Sequence, residues 1–160
     1  MSASHPEIRF ISIGSNVKPH HYIPLALELL TDHFGPIKSS PVYETPPEGP
    51  AGDKPFWNLA VQINSGLPMK EIQRTLNSIE DVLGRNRRNS DKYAPRTIDL
   101  DLLPRPGYQR QSFVMVPLAD IAGNERDDET GETFQSLAKK HSTAAAKFRK
   151  INTRLKNLKP

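Results

Sequence analysis

The stretch Phe56–Asn64, FWNLAVQIN, is the clearest strand in this sequence. Successive side chains of a strand point to opposite faces of the sheet. One face is apolar and consists of Trp57, Leu59, Val61 and Ile63. The other face is mostly polar, begins with an aromatic ring and an amide, and consists of Phe56, Asn58, Ala60, Gln62 and Asn64. We expect the first face to lie in the core.

A second strand, Ile98–Leu103 (IDLDLL), divides in the same way. Its aliphatic side chains alternate with Asp99 and Asp101, so that the aliphatic face turns inward and both carboxylates turn outward. If both strands belong to one sheet, its second face carries Phe56, Asn58, Asp99 and Asp101 together. This convergence follows from the alternation alone.

The remaining pattern completes a six-element unit. Two further strands are predicted at Glu7–Ile13 and Ile37–Tyr43, and apolar residues at helical spacing predict helices at Tyr22–Phe34 and Pro68–Leu83. The order βαββαβ is the ferredoxin-like arrangement. We therefore predict an α+β, two-layer sandwich in which the helices cover one face of an antiparallel sheet and leave the other face open.

The C-terminal part is predicted to extend this unit. Phe113–Val116 is consistent with a short strand, and Ser142–Leu158 predicts a terminal helix with one apolar and one basic side. The 160 residues favour one domain. We expect its core at about residues 7–122 and a basic helical extension at about residues 133–160.

Composition excludes several classes of protein. The chain has no cysteine, which rules out disulfides, thiolate metal sites and a thiol nucleophile. No apolar run approaches the roughly 18 residues that a membrane helix needs, and Met1–Glu7 lacks a signal-peptide pattern, so we expect a cytoplasmic location. The net charge of +4 suits a polyanionic substrate, a nucleic acid or simply a basic surface.

The pair Asp99 and Asp101 is the main candidate for chemistry. Carboxylates two residues apart on a strand lie about 6.5–7 Å apart along the chain, and they repel each other unless a cation lies between them. Magnesium prefers one or two carboxylates with water and phosphate oxygens. A cluster of cations precedes the pair and consists of Arg85, Arg87, Arg88, Lys92 and Arg96. Together they favour a metal–polyphosphate complex, although an exposed acidic pair beside a solvated basic loop is the alternative.

The sequence contains neither of the glycine-rich phosphate-binding motifs, G-x-x-x-x-G-K-[ST] and G-x-G-x-x-G. We therefore expect any nucleotide to be held by side chains and metal. The segment Lys92–Leu103, KYAPRTIDLDLL, resembles the hydroxymethyl-dihydropterin pyrophosphokinase family of folate biosynthesis. The resemblance covers roughly residues 8–122. It includes four further segments: Ile13–Asn16, Ser39–Gly49, Pro55–Asn58 and Glu80–Arg87.

The resemblance implies ATP-dependent pyrophosphoryl transfer to a reduced pterin, with release of AMP. It implies two magnesium ions held by Asp99 and Asp101, with Arg85 and Arg96 as catalytic cations. The implied pterin-binding residues are Gly14, Thr45, Pro46, Phe56, Asn58, Tyr93 and Phe113. The implied nucleotide-binding residues are Asn77, Glu80, Arg87, Lys92, Leu102 and Arg110.

The chain departs from the family between the two aspartates and Phe113. Family members carry a longer basic lid with a Pro-His pair, whereas only Leu102–Ser112 stands here and it contains no histidine. Gln111 stands where the family usually has arginine, and Arg105 or Arg110 could substitute for the lid electrostatically. The sequence therefore leaves two functions open. One is an active, monomeric enzyme, and the other is a homologue that binds a pterin but no longer transfers a group. A nucleic-acid-binding module is disfavoured because the outward aspartates would repel phosphates.

Overall fold

A computed structural model describes residues 5–47, 54–84 and 97–151. The predictions for Arg85, Arg87, Arg88, Lys92, Tyr93 and Arg96 lie outside these residues. The strands are β1 (Glu7–Ser15), β2 (Lys38–Ser39), β3 (Val42–Thr45), β4 (Phe56–Ser65), β5 (Asp99–Leu103) and β6 (Arg149–Ile151). The helices are α1 (Pro19–Phe34), α2 (Met69–Val82), α3 (Ser112–Ala122), α4 (Phe134–Lys139) and α5 (Ser142–Ala145), and a 3-10 turn covers Tyr108–Arg110.

The sheet is antiparallel throughout, with the strand order β5-β1-β4-β3-β6. The short strand β2 pairs with β4 beside β3. Helix α1 follows β1, and α2 lies between β4 and β5. Because β2 and β3 are the two halves of one predicted strand, the first part of the chain has the predicted βαββαβ order. The predicted α+β, ferredoxin-like fold is confirmed.

Helices α1 and α2 cover the first face of the sheet. The faces that they bury carry residues three or four apart, such as Ile23, Leu27 and Leu30 in α1, which is the spacing of one side of a helix. They pack on Ile11 and Leu59 of the central strands. Burial of these aliphatic side chains is the main stabilising term of the fold.

The predicted strand Ile37–Tyr43 is interrupted. Pro41 lacks a backbone N–H and therefore cannot continue a hydrogen-bonded ladder. At this point Ser40 bonds to Ala60 of β4 twice, because its N donates to the Ala60 O at 2.9 Å and its Oγ accepts from the Ala60 N at 2.9 Å. The two halves, β2 and β3, therefore both stay on β4.

The predicted strand Phe113–Val116 is wrong, because these residues form the first half of α3. Val114, Met115 and Leu118 of α3 are buried at helical spacing. They pack in a second apolar cluster with Phe10, Ala60, Leu103, Phe134 and Leu137. The second face of the sheet is therefore not fully open, since α3 covers the half that displays apolar side chains.

The predicted terminal helix Ser142–Leu158 is confirmed only over its first residues, Ser142–Ala145, and is wrong at Arg149–Ile151, which form a strand. Helix α5 ends at Ala145, and β6 then pairs with β3. The backbone groups of an unpaired edge strand favour such an addition. Arg149 of β6 donates to Glu44 Oε1 through Nε at 3.2 Å and through a terminal nitrogen at 2.9 Å. The prediction for residues 152–158 lies outside the described residues.

A buried carboxylate anchors the segment between β5 and α4. Asp127 is 3% exposed. It accepts hydrogen bonds from the Tyr108 hydroxyl at 2.6 Å, from Gln109 Nε2, and from the Thr130 N at 2.8 Å. Burial alone would raise the pKa of Asp127, but these hydrogen bonds outweigh it and lower the pKa to about 2. The charged form of Asp127 therefore stabilises the fold.

Replacing Tyr108 with Phe should lower the free energy of unfolding by about 1.5–3 kcal/mol, the range for a hydrogen bond to a charged group. The pKa of Asp127 is lowered on folding, so its contribution is complete above its ordinary pKa of 3.8 and is lost as the pH falls towards about 2. Urea unfolding at pH 7 checks the first effect. In acid titrations, Asp127→Asn should lose less stability than the wild type between these pH values, and equal losses would contradict this role.

Candidate active site

A cavity of about 340 Å³ opens on the uncovered half of the second face. Strand register assembles it, because Gly14 of β1 lies between Asn58 of β4 and Asp99 of β5, and Ser12 pairs with Asp101. The side chains of Ser12, Asn58, Asp99 and Asp101 therefore point to one face of the sheet. The lining residues are Ser12, Gly14, Phe56, Asn58, Asp99, Asp101, Arg105, Gln111 and Phe113.

Six of the predicted catalytic and pterin-binding residues meet in this cavity. The predicted convergence of Phe56, Asn58, Asp99 and Asp101 on one face is confirmed. Gly14 joins them from the central strand, and Phe113 joins them from the first turn of α3. The cavity thus combines two aromatic rings, an amide and two carboxylates.

Asn58 is held in place by its neighbours. It is 5% exposed, and its Nδ2 donates to Thr45 Oγ1 at 2.9 Å. Its Oδ1 lies so close to Gly14 that a Cβ atom there would stand 2.8 Å away. Glycine is therefore required at position 14 for the amide to keep this position.

Thr45 and Pro46 border a neighbouring cavity of about 200 Å³. Phe113 lines both cavities, so the two spaces meet at its ring. The far wall of the smaller cavity is formed by Phe148 and Lys147, which precede β6. The predicted residues Thr45 and Pro46 thus lie beside the main cavity.

The carboxylates of Asp99 and Asp101 form a donor set that suits magnesium. Both side chains are half-buried on β5 and face the cavity. No group of three or more metal-ligating side chains occurs in residues 5–47, 54–84 and 97–151. Mg²⁺ is usually bound by one or two carboxylates together with water and phosphate oxygens, and not by protein ligands alone. The pair of carboxylates beside an open cavity fits this preference.

Two polar atoms on the cavity wall are buried without a hydrogen-bond partner among the described residues. They are Gln111 Oε1, an acceptor, and Arg105 Nε, a donor that forms an ion pair with Asp101 Oδ2 at 3.4 Å but no hydrogen bond. Buried polar groups without partners are rare, so Gln111 Oε1 calls for a ligand or an ion. The sequence indicated Gln111 only as a departure from the family and Arg105 only as a possible electrostatic substitute for the lid. It gave no indication of Ser12, although alternation along β1 places Ser12 on the same face as Gly14.

Four predicted nucleotide-binding residues do not line this cavity. Glu80 is buried, and its Oε2 accepts a hydrogen bond from the Leu100 N at 2.7 Å. The side chain of Leu102 lies in the core, so any nucleotide contact there would have to use its backbone. Asn77 accepts a hydrogen bond from Gln73 on α2, and Arg110 is exposed on the 3-10 turn.

No helix in the described part of the chain is long and apolar enough to cross a membrane.

Comparison with known proteins agrees with the resemblance found in the sequence. The family model 7,8-dihydro-6-hydroxymethylpterin-pyrophosphokinase (HPPK) matches residues 10–123. This range nearly coincides with the region of resemblance found in the sequence.

Two bacterial relatives carry the name 2-amino-4-hydroxy-6-hydroxymethyldihydropteridine pyrophosphokinase. The protein from Bacillus subtilis (strain 168) is 34% identical over 146 residues, which cover 80% of this chain and 86% of that protein. The protein from Helicobacter pylori (strain ATCC 700392 / 26695) is 30% identical over 126 residues, which cover 68% of this chain and 77% of that protein.

A similar solved structure is the wild-type HPPK-DHPS of Plasmodium falciparum with pterin and p-hydroxybenzoate. Its TM-score is 0.71 at 12% identity, and the match covers 95% of this chain and 48% of that chain. This chain therefore spans about half of that longer protein, and the likeness bears on the fold alone. From the family match and the bacterial relatives together, the chain belongs to the 7,8-dihydro-6-hydroxymethylpterin-pyrophosphokinase family.

Proposed function

We propose that this chain transfers a pyrophosphoryl group from ATP to the hydroxymethyl group of 6-hydroxymethyl-7,8-dihydropterin. The products are the pterin pyrophosphate and AMP. The observation that carries the proposal is the single cavity that joins an amide and two aromatic rings to a carboxylate pair. A flat heterocycle suits the rings and the amide, and a metal–polyphosphate suits the carboxylates.

The pterin lies between the rings of Phe56 and Phe113 in this proposal. Aromatic faces bury a flat heterocycle well and set its plane. Asn58 then reads the hydrogen-bonding edge of the pterin, and Thr45 keeps the amide oriented through its bond to Asn58 Nδ2. Gly14, Pro46 and Tyr93 complete the proposed set of pterin contacts.

Asp99 and Asp101 hold magnesium, in the proposal two ions, at the other end of the cavity. When bound, magnesium neutralises charge on the phosphates. Arg85 and Arg96 stabilise charge on the transferring group, and the proposed nucleotide contacts are Asn77, Glu80, Arg87, Lys92, Leu102 and Arg110. The side chains place the pterin hydroxyl in line with the β-phosphorus, because positioning and charge stabilisation are what this chemistry requires.

The direct test is AMP release from ATP and Mg²⁺, with and without 6-hydroxymethyl-7,8-dihydropterin, on the wild type and on Asp101→Ala. We expect AMP that depends on the pterin and is lost in the variant. No AMP from a folded wild type that binds both substrates would refute the transfer.

We also propose that the protein is a monomer with a single domain. Gel filtration of the same sample tests the monomer, and a single cooperative unfolding transition tests the single domain.

The second candidate function is pterin binding without transfer. The observation that favours it is the short connection between β5 and α3, which consists of residues 104–111. A lid this short offers few groups to close over a triphosphate. Tight binding of pterin and ATP without AMP formation would identify this function. A cytoplasmic location is proposed for either function.

Replacing Gly14 with Ala should weaken pterin binding by about tenfold, a loss of about 1.4 kcal/mol. The added Cβ would stand 2.8 Å from Asn58 Oδ1 and so displace the amide. Fluorescence titration of the pterin measures the effect. The control is a double-mutant cycle with Asn58→Ala, because the Gly14→Ala effect should vanish once the amide is gone. Equal effects in both backgrounds would show that Gly14 acts by another route.

A further inference from the structure

The short connection after β5 places one cation beside the carboxylate pair. Arg105 stands between Pro104 and Pro106, whose rings restrict the backbone on both sides. Its Nε lies 3.4 Å from Asp101 Oδ2. The side chains of Arg105 and Asp101 are 27% and 36% exposed. The pair is therefore partly shielded from water, and its geometry is set by a stiff segment.

The guanidinium of Arg105 is not fully satisfied by this contact. Its Nε is buried and has no hydrogen-bond partner among the described residues. A guanidinium carries five N–H donors and stays charged at all relevant pH values. Arg105 also lines two spaces, the 340 Å³ cavity and a second cavity of about 480 Å³ behind it. Its Nε therefore makes an ion pair but no hydrogen bond, and the side chain has room to turn.

A cation in this position competes with a metal ion for Asp101. When a metal ion takes the carboxylate, the guanidinium and the metal repel each other, and the guanidinium needs another anion. Phosphate oxygens suit it best, because a guanidinium fork binds them in pairs. Arg110 does not meet these conditions, since it is exposed and does not line the 340 Å³ cavity.

We propose that Arg105 is a built-in counter-ion of Asp101, which holds the carboxylate while no metal is bound and turns to the nucleotide phosphates once the metal arrives. This inference rests on the proposed function for the identity of the nucleotide. It assigns a function to the short connection, because a single arginine between two prolines would supply part of the phosphate binding of a longer basic lid.

The inference is tested by metal and nucleotide binding, without turnover. Mn²⁺ shares the oxygen ligands of Mg²⁺, and electron paramagnetic resonance reports the free ion. Without nucleotide, Arg105→Ala should bind Mn²⁺ about threefold more tightly, the scale of a partly exposed ion pair. With saturating Mg²⁺, the same variant should bind ATP about tenfold more weakly, since it loses charge-assisted hydrogen bonds. Arg105→Lys keeps the positive charge, so its Mn²⁺ affinity should stay close to that of the wild type. It loses the guanidinium fork, so it should retain only part of the wild-type ATP affinity.

Matched variants make both outcomes decisive. Arg74→Ala removes the same charge from the exposed face of α2 and should change neither affinity. Asp101→Asn should remove the Mn²⁺ site that Arg105→Ala strengthens. Unchanged Mn²⁺ affinity in a folded Arg105→Ala protein would overturn the counter-ion role, and unchanged ATP affinity would overturn the turn to the phosphates. Because neither readout needs the pterin, both shifts in a protein that forms no AMP would refute the proposed transfer and support this inference.

Discussion

Replacing Asp101 with Asn should lower the rate of pterin-dependent AMP formation by about a thousandfold, the upper range for loss of one preorganised electrostatic group. The change keeps the size of the side chain and removes its charge. Asp101 is half-buried at the cavity, so the fold does not depend on it as it depends on a core residue. Asp99→Asn should act in the same direction, since the two carboxylates share one task. Single-turnover AMP formation at saturating substrates measures both effects.

The control for this prediction is Asp32→Asn. Asp32 is exposed on α1, which covers the opposite face of the sheet, and its replacement changes the net charge by the same amount. It should leave the rate within about twofold, as expected for a surface site. If Asp101→Asn kept more than a tenth of the wild-type rate at every Mg²⁺ concentration, the carboxylate pair would not be the metal site.

The part of the site that lies on the sheet could be predicted because strand geometry is strict. A period of two residues leaves no freedom, so Asn58 and Asp101 must share a face once Leu59 and Leu100 share the core. Pairing of both strands with β1 then sets how far apart they lie. Ser12 was missed although the same rule applies to it, because a single serine on a strand carries no chemical signal.

The connections could not be predicted in the same way. Phe113–Val116 is a run of four residues whose periodicity fits a strand or a helix equally well. Its structure is decided by distant residues, because Phe10, Ala60 and Leu103 need an apolar cover. The terminal segment does have helical spacing, yet the free edge of β3 takes up Arg149–Ile151 as a strand. Long-range contacts override local pattern in both cases.

Glu80 shows how a resemblance and a structure add to each other. The resemblance implies that Glu80 lies on the nucleotide side, and no local pattern indicates more. In the structure it is buried and accepts a hydrogen bond from the Leu100 N, between the two aspartates of β5. Glu80 therefore links α2 to the strand that carries the proposed metal ligands, whether or not it also contacts a nucleotide.

Replacing Asn58 with Ala should weaken pterin binding by about a hundredfold while leaving ATP affinity unchanged. Loss of a group that hydrogen-bonds the ligand lowers the affinity far more than loss of a single methylene contact. Asn58 suits this role because it is 5% exposed and is fixed by Thr45 on one side and by Gly14 on the other. Fluorescence titration of the pterin and calorimetry of ATP with Mg²⁺ separate the two affinities.

Asn64→Ala is the matched control, since Asn64 lies on the same face of β4 but is exposed and outside the cavity. It should change neither affinity. A pterin affinity in Asn58→Ala within threefold of the wild type would place the heterocycle elsewhere. A parallel loss of ATP affinity would instead show that Asn58 supports the structure of the whole cavity, because a residue that contacts only the pterin has no reason to act on the phosphates. The ratio of the two losses therefore decides between recognition and support.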